Sequence, residues 1–356
     1  MTKYNFYAGP AILPKEVMAK AAESVTDLGG MGLSILEISH RSKEVSEIMA
    51  NAVSLTKELL GIGDEFEVLF LQGGASSQFY MSAMNMLGQD ETAGYVDTGA
   101  WSTKAIKEAK AFGHVNVLSS SKDKNFNYIP KGYDIPPDLK YLHITSNNTI
   151  FGTQFQDFPD TKVPLICDAS SDIFSRPLDM SKFGILYAGA QKNLGPSGVT
   201  LAIINKEFLK GQAREMPTML DYNTHVKKES SFNTPPVFPI YVSMLTLEWI
   251  KANGGLSAMA VKNADKAKIL YDEIDRNSLF EGSAALEDRS LMNVCFLPKN
   301  EDHTGAFLEK CAEAGCIGIK GHRSVGGFRA SIYNAMPKEG VQVLVEVMKD
   351  FESANG

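Results

Sequence analysis

Short apolar runs alternate with helix-period stretches over roughly the first 200 residues of this chain, and few folds accommodate such a pattern. Runs at 67–71, 93–96, 115–118, 141–145, 164–167 and 199–204 are strand candidates. Between them the spacing predicts helices. One covers 43–60, with Val45, Ile48, Met49, Ala52, Leu55 and Leu59 on one face and Gly61 as its stop; another covers 77–87. Strands apolar along their whole length must be covered on both faces. An α/β fold is therefore expected, with a large domain whose mainly parallel sheet is flanked by helices. The pattern changes after Pro235-Pro236. Two long helices, 240–252 and 256–276, surround Asn253-Gly254-Gly255. A smaller C-terminal α+β domain follows, with strands at 293–297, 317–320 and 328–333, a helix at 304–313 and a last helix opened by Pro337. A domain boundary is expected near residue 255.

Composition narrows the function classes. The 356 residues carry 35 Lys and Arg against 42 Asp and Glu, a net charge of −7, which argues against broad electrostatic binding of nucleic acid. No apolar segment follows the first residues, so no signal peptide is expected, and polar residues interrupt each long uncharged stretch. A cytoplasmic protein without membrane contact is the expectation. The four cysteines, Cys167, Cys295, Cys311 and Cys316, form no C-x-x-C pair, so neither a metal site nor a disulfide framework is expected.

Four groups of residues can carry chemistry. Gln72-Gly-Gly-Ala-Ser-Ser-Gln78 follows a strand and opens a helix. Glycines there turn backbone N–H groups outward at a positive helix end, which is a phosphate cradle, though a tight turn without ligand reads the same. Lys192 sits in Ala188-Gly-Ala-Gln-Lys-Asn-Leu-Gly-Pro-Ser-Gly198. A surface lysine does not need such small neighbours, whereas a lysine that bonds a flat aldehyde cofactor does. Asp168 ends an apolar strand 24 residues earlier. Alone it is an ordinary turn acid; with Lys192 and the cradle it completes what pyridoxal phosphate requires. Finally, His40-Arg41, His322-Arg323 and Arg329 offer cations in loops, either as solvated surface residues or as a clamp for a doubly charged anion.

Together with Gly9-Pro-Ala11, Ser39-His-Arg-Ser-Lys43, Asn233-Thr-Pro-Pro236 and Gly321-His-Arg-Ser-Val-Gly-Gly-Phe-Arg329, these segments resemble the phosphoserine aminotransferases, of class V and fold type I among pyridoxal-phosphate enzymes. The resemblance implies a large cofactor domain at 15–255, a small domain formed by 1–14 and 256–356, and a homodimer with shared active sites. It implies that Lys192 bonds the cofactor aldehyde, Asp168 pairs with the pyridine nitrogen, Trp101 stacks on the ring and Thr149 bonds its 3-hydroxyl. Ala75, Ser76 and Gln191 would hold the phosphate, joined by Asn233 and Thr234 of the neighbouring subunit. Arg329 would clamp the substrate α-carboxylate, and His40, Arg41, His322 and Arg323 would surround the side-chain phosphate. Some family members carry Arg where this chain has Ser76. The implied reaction is transamination between phosphoserine and 2-oxoglutarate in serine biosynthesis; a further substrate in vitamin B6 synthesis is left open. The rivals are another class V enzyme, such as a different aminotransferase or a cysteine desulfurase with a mobile catalytic cysteine, and a non-enzymatic phosphate-ligand-binding protein.

Overall fold

The computed structural model describes residues 2–356. In chain order its elements are β1 (Tyr4–Asn5), α1 (Lys15–Thr26), α2 (Lys43–Leu60), β2 (Phe66–Leu71), α3 (Gly74–Met86), β3 (Thr92–Asp97), α4 (Ala100–Ala109), β4 (His114–Ser120), β5 (Leu142–Thr145), β6 (Asn147–Asn148), β7 (Thr153–Gln154), β8 (Leu165–Asp168), β9 (Phe183–Gly189) and β10 (Thr200–Asn205). Then follow α5 (Lys206–Leu209), α6 (Tyr222–Lys227), α7 (Val237–Ala252), α8 (Gly255–Arg276), β11 (Phe280–Gly282), β12 (Asn293–Pro298), α9 (His303–Glu313), β13 (Cys316–Ile317), β14 (Phe328–Ser331) and α10 (Lys338–Asn355).

Seven strands form the large sheet in the order β2-β10-β9-β8-β5-β3-β4. Only β10 runs against the others, pairing antiparallel with β2 and β9, while β3, β4, β5, β8 and β9 pair in parallel. The expected α/β architecture is therefore present. Along β9, Leu186 and Ala188 join the core beneath α1, α2 and α7, whereas Ile185 and Tyr187 join the core beneath α3 and α4. Alternate side chains thus bury both faces. Among the described residues no helix is long and apolar enough to cross a membrane.

Helix α2 illustrates how local signals set the elements. Ser42 caps its start by accepting from Val45 N at 3.3 Å, and Gly61 ends it with φ 64°. Its buried stripe includes Thr56 and Leu60, with Leu55 and Leu59 half-buried against the same core, and the Thr56 hydroxyl is satisfied by the Ala52 carbonyl at 2.8 Å. Three further details depart from the sequence reading. Strand β9 carries Gly184 and Gly189, which hide its β pattern; a Cβ at Gly184 would meet the Phe208 ring at 2.5 Å. The strand expected at 317–320 is two residues, Cys316–Ile317, with an isolated bridge between Lys320 and Phe328. Pro337 precedes α10 as its cap, in extended conformation, instead of occupying the first turn.

The C-terminal unit is an antiparallel sheet, β11-β12-β14, packed by α8, α9 and α10. Phe280, Phe296, Phe307 and Phe328 are each at most 1% exposed and meet largely edge to face. Fully burying one such side chain is worth about 1.5–3 kcal/mol. The chain's beginning belongs to this unit: β1 pairs with β13, and Phe6 joins its core. Helix α8 crosses between units, with Leu256 and Met259 in the large core and Ala267, Leu270 and Ile274 in the small one.

Candidate active site

Five chain segments leave the carboxyl ends of large-sheet strands and carry the residues of interest, where ligands of such sheets gather. Asp168 is the last residue of β8, Lys192 follows β9, Trp101 follows β3, Thr149 follows β5, and Ala75 and Ser76 follow β2.

Asp168 is 5% exposed. Its Oδ1 accepts from Ser170 N at 3.0 Å and Ser170 Oγ at 2.6 Å, which fixes the carboxylate and leaves Oδ2 out of both bonds. Ser170 Oγ also accepts from Gly189 N at 3.1 Å, tying β8 to the loop that carries the lysine. Burial pushes the Asp168 carboxyl up, against the pull of Lys192 and Ser170. Lys192 is half-buried, and burial pushes its amine below 10.5; Asp168 opposes that shift and Arg329 adds to it. No salt bridge joins Lys192 to Asp168 among the described residues, although each favours the charged form of the other. The Thr145 hydroxyl, in register with Asp168 on β5, is buried without a partner.

Trp101 stands at the start of α4, an end held by Asp97, whose Oδ1 accepts from Ser102 and Thr103 at 2.9 Å. Its indole Nε1 donates to Thr149 Oγ1 at 3.2 Å, and Lys192 Nζ lies 5.8 Å from its ring centroid. Arg329 Nη1 donates to the Thr149 carbonyl at 2.9 Å, while its Nε is buried without a partner. Trp101, Thr149, Lys192 and Arg329 are thereby brought together from residues far apart in sequence.

The segment after β2 is a glycine turn that opens a helix. Gly73 caps α3 with φ 96° and supplies no side chain, so the first N–H groups of the helix, including those of Ala75 and Ser76, are free for an anion. A Cβ at Gly73 would lie 2.0 Å from Ser77 Oγ. Gln191 flanks the lysine, and its carbonyl accepts from Ala11 N at 2.9 Å, which seats the Gly9-Pro-Ala11 segment against this loop. Thr234 lies near the cradle in the same chain, its carbonyl accepting from Gln72 Nε2 at 3.1 Å; Asn233 and Thr234 are exposed.

The cations divide. His322 and Arg329 act on one another, since burial and then the charges of Arg329, Arg323 and Lys104 push the imidazole below 6.5. His322 Nδ1 is engaged by Ser324. His40 and Arg41 instead sit in the turn before α2, and no side-chain bond joins them to this cleft within the chain among the described residues. The sequence reading missed Ser170, Thr145 and Lys104. Only Ser170 had a signal, as the residue two after an acid that ends a strand, the spacing of an Asx turn.

An acid beside an orphaned hydroxyl, an aromatic face, a lysine of lowered basicity and an uncapped helix start fit pyridoxal phosphate in size and polarity. The four cysteines are free and buried. Burial pushes Cys295 up to about 12 and Cys316 up to about 11, and raises Cys167 and Cys311 as well, which removes a thiolate nucleophile of the desulfurase type. A cavity of about 1000 Å³ between α1, α7 and α8 holds none of these residues. The buried Lys266 lines it, but donates to the carbonyls of Ile332, Tyr333 and Met336.

Comparison with known proteins agrees with this geometry. The class-V aminotransferase family model matches residues 3–344. Phosphoserine aminotransferases of Flavobacterium johnsoniae and Parabacteroides distasonis are 58% and 57% identical, covering 99% of this chain and of each relative. The solved structure of phosphoserine aminotransferase from Bacillus circulans subsp. alkalophilus is 46% identical with a TM-score of 0.97, covering 100% of this chain and 99% of that one. The pyridoxal-phosphate-bound enzyme of Trichomonas vaginalis is 38% identical with a TM-score of 0.93, covering 98% and 100%. This chain is a pyridoxal-phosphate-dependent aminotransferase of class V and belongs to the phosphoserine aminotransferase family.

Proposed function

We propose that the protein transfers the amino group reversibly between phosphoserine and 2-oxoglutarate, yielding 3-phosphohydroxypyruvate and glutamate, as a step of serine biosynthesis in the cytoplasm. The observation that carries this reading is the rim of the cleft. His322, Arg323 and Arg329 lie within electrostatic reach of one another, and none forms a salt bridge with an acid among the described residues. Such a cluster suits a substrate with a carboxylate and a second, doubly charged group.

Bound pyridoxal phosphate would supply an electron sink for the substrate α-carbon. Asp168, anchored by Ser170, would keep the pyridine nitrogen protonated; Trp101 would stack on the ring, and Thr149 would bond its 3-hydroxyl. Ala75, Ser76 and Gln191 would hold the phosphate. Lys192 Nζ, besides bonding the cofactor, would take the proton from the amino acid Cα and deliver it to the carbon of the cofactor that carried the aldehyde, and would carry a proton the opposite way in the second half-reaction. That task needs a neutral amine, and the burial of Lys192 favours one. Arg329 clamps the α-carboxylate, and its bond to Thr149 ties that clamp to the residue beneath it. His322 and Arg323 meet the distal phosphate.

The reading extends to a homodimer in which Asn233, Thr234, His40 and Arg41 complete a neighbouring site; the exposure of Asn233, Thr234 and Arg41, and the lack of any side-chain bond from the α2 turn to the cleft among the described residues, support it. It also divides the chain into 15–255 and 1–14 with 256–356, supported by the pairing of β1 with β13. The test is an absorption spectrum of the yellow holoenzyme after O-phosphoserine is added without a keto acid. Loss of the yellow band is expected. A band unchanged by phosphoserine but bleached by another amino acid would overturn the substrate and keep the cofactor. Two amino acids sharing one site also require parallel lines in initial-rate plots, and convergent lines would contradict this.

A further inference from the structure

Lys104 lies one helical turn beyond Trp101 on α4, with its side chain exposed. Its ammonium rests 4.5 Å from the centroid of the Trp101 ring, the ring that also has Lys192 Nζ at 5.8 Å. It is close enough to His322 to disfavour protonation of the imidazole, as Arg323 and Arg329 do. None of the chain's salt bridges among the described residues engages Lys104, Arg323 or Arg329. Lys104, Arg323 and Arg329 thus each act on His322, and none of the three is paired with an acid among the described residues. Their mutual repulsion is relieved when a dianion enters, and relieved less by a monoanion.

We propose that Lys104 is a specificity-determining residue, whose ammonium turns from the Trp101 ring to the distal phosphate of the substrate and favours that dianion over the side-chain carboxylate of glutamate. The inference rests on the phosphoserine reading above. A four-carbon stem gives the ammonium the reach and freedom for the move. An exposed contact with an aromatic face is weaker than a charge-assisted hydrogen bond to phosphate, so the exchange is favourable.

The test compares steady-state kinetics of the wild-type holoenzyme with Lys104→Gln and Lys104→Arg, using phosphoserine and glutamate in turn. Lys104→Gln should raise KM for phosphoserine about tenfold, several times more than for glutamate, with kcat changed far less; Lys104→Arg should restore most of the loss. The second phosphate proton binds near pH 6, so the advantage of wild type over Lys104→Gln should shrink between pH 7.5 and pH 5.5. Equal changes for both amino acids, or a ratio that ignores pH, would overturn the inference. Where wild type uses phosphoserine and Lys104→Gln matches it, only the role of Lys104 fails. Where wild type uses glutamate but not phosphoserine, the substrate reading fails, and the role of Lys104 with it.

Discussion

Asp168 and Arg323 are both ionisable residues of the proposed site, but their surroundings differ. Asp168 is 5% exposed and held by two bonds from Ser170, at the end of a strand that lies inside the sheet. Arg323 is exposed, in a loop between Gly321 and Gly326, with no carboxylate partner among the described residues. A buried charge without fixed partners is costly, so the floor of the cleft must be built rigidly before any ligand arrives. An exposed charge costs little by itself, so the rim is free to specify the substrate by the number and position of its cations. On the proposed roles, chemistry would lie where packing is tight and selectivity where side chains are exposed.

The floor should respond most strongly to substitution. Lys192→Ala would remove both the proposed covalent anchor and the proposed proton carrier, and turnover should fall by about 10⁴-fold or more in single-turnover assays with phosphoserine. A variant within tenfold of wild type would end the assignment. Asp168→Asn keeps an acceptor for Ser170 but loses the charge, so kcat should drop on the order of 10³-fold while the far-ultraviolet circular dichroism is kept. If the spectrum collapses instead, Asp168 is a structural acid and the comparison of floor with rim is wrong.

At the rim the effects should be smaller and should depend on the substrate. Arg329→Ala should raise KM for phosphoserine and glutamate alike, by roughly tenfold or more, because both carry the α-carboxylate. Arg323→Ala should weaken phosphoserine more than glutamate, and equal losses would show that Arg323 does not meet the phosphate.

The smallest expected effect is a shift in pH dependence that links the two regions. In the proposed role Lys192 would add to the cofactor aldehyde as a neutral amine, so the rate at which apoprotein regains its yellow colour should rise with pH through the pKa of that amine. Burial and Arg329 push this pKa below 10.5, which places the midpoint below 10.5. Removing a nearby cation in Arg329→Ala should move the midpoint up, and removing an anion in Asp168→Asn should move it down. Stopped-flow absorbance across pH 6–10 reads both directions, and an unmoved midpoint would show that floor and rim are electrostatically independent.

Much of this was legible in order along the chain. The apolar runs marked strands, and the ends of β2 and β8 carried the cradle and Asp168 where a parallel sheet presents its ligands. Lys192 stood out because small residues and turn formers surrounded it. Strand β9, which delivers it, was hidden because Gly184 and Gly189 are selected by close contacts with Phe208 and Gln191, not by β propensity. The likeness of the motif blocks to one family supplied roles for Trp101 and Thr149 that their own local sequence did not suggest.

Local periodicity, capping and turn chemistry act over a few residues, so the linear sequence could determine which segments become strands and helices and which loops carry reactive side chains. Distance between segments is another matter. That Trp101 meets Thr149, that Arg329 reaches the Thr149 carbonyl 180 positions earlier, and that Lys104 joins His322 and Arg323 at the rim depend on strand order and on the docking of the small unit. Charges repel or attract through space, irrespective of their separation along the chain, so only the tertiary structure could decide which cations act together.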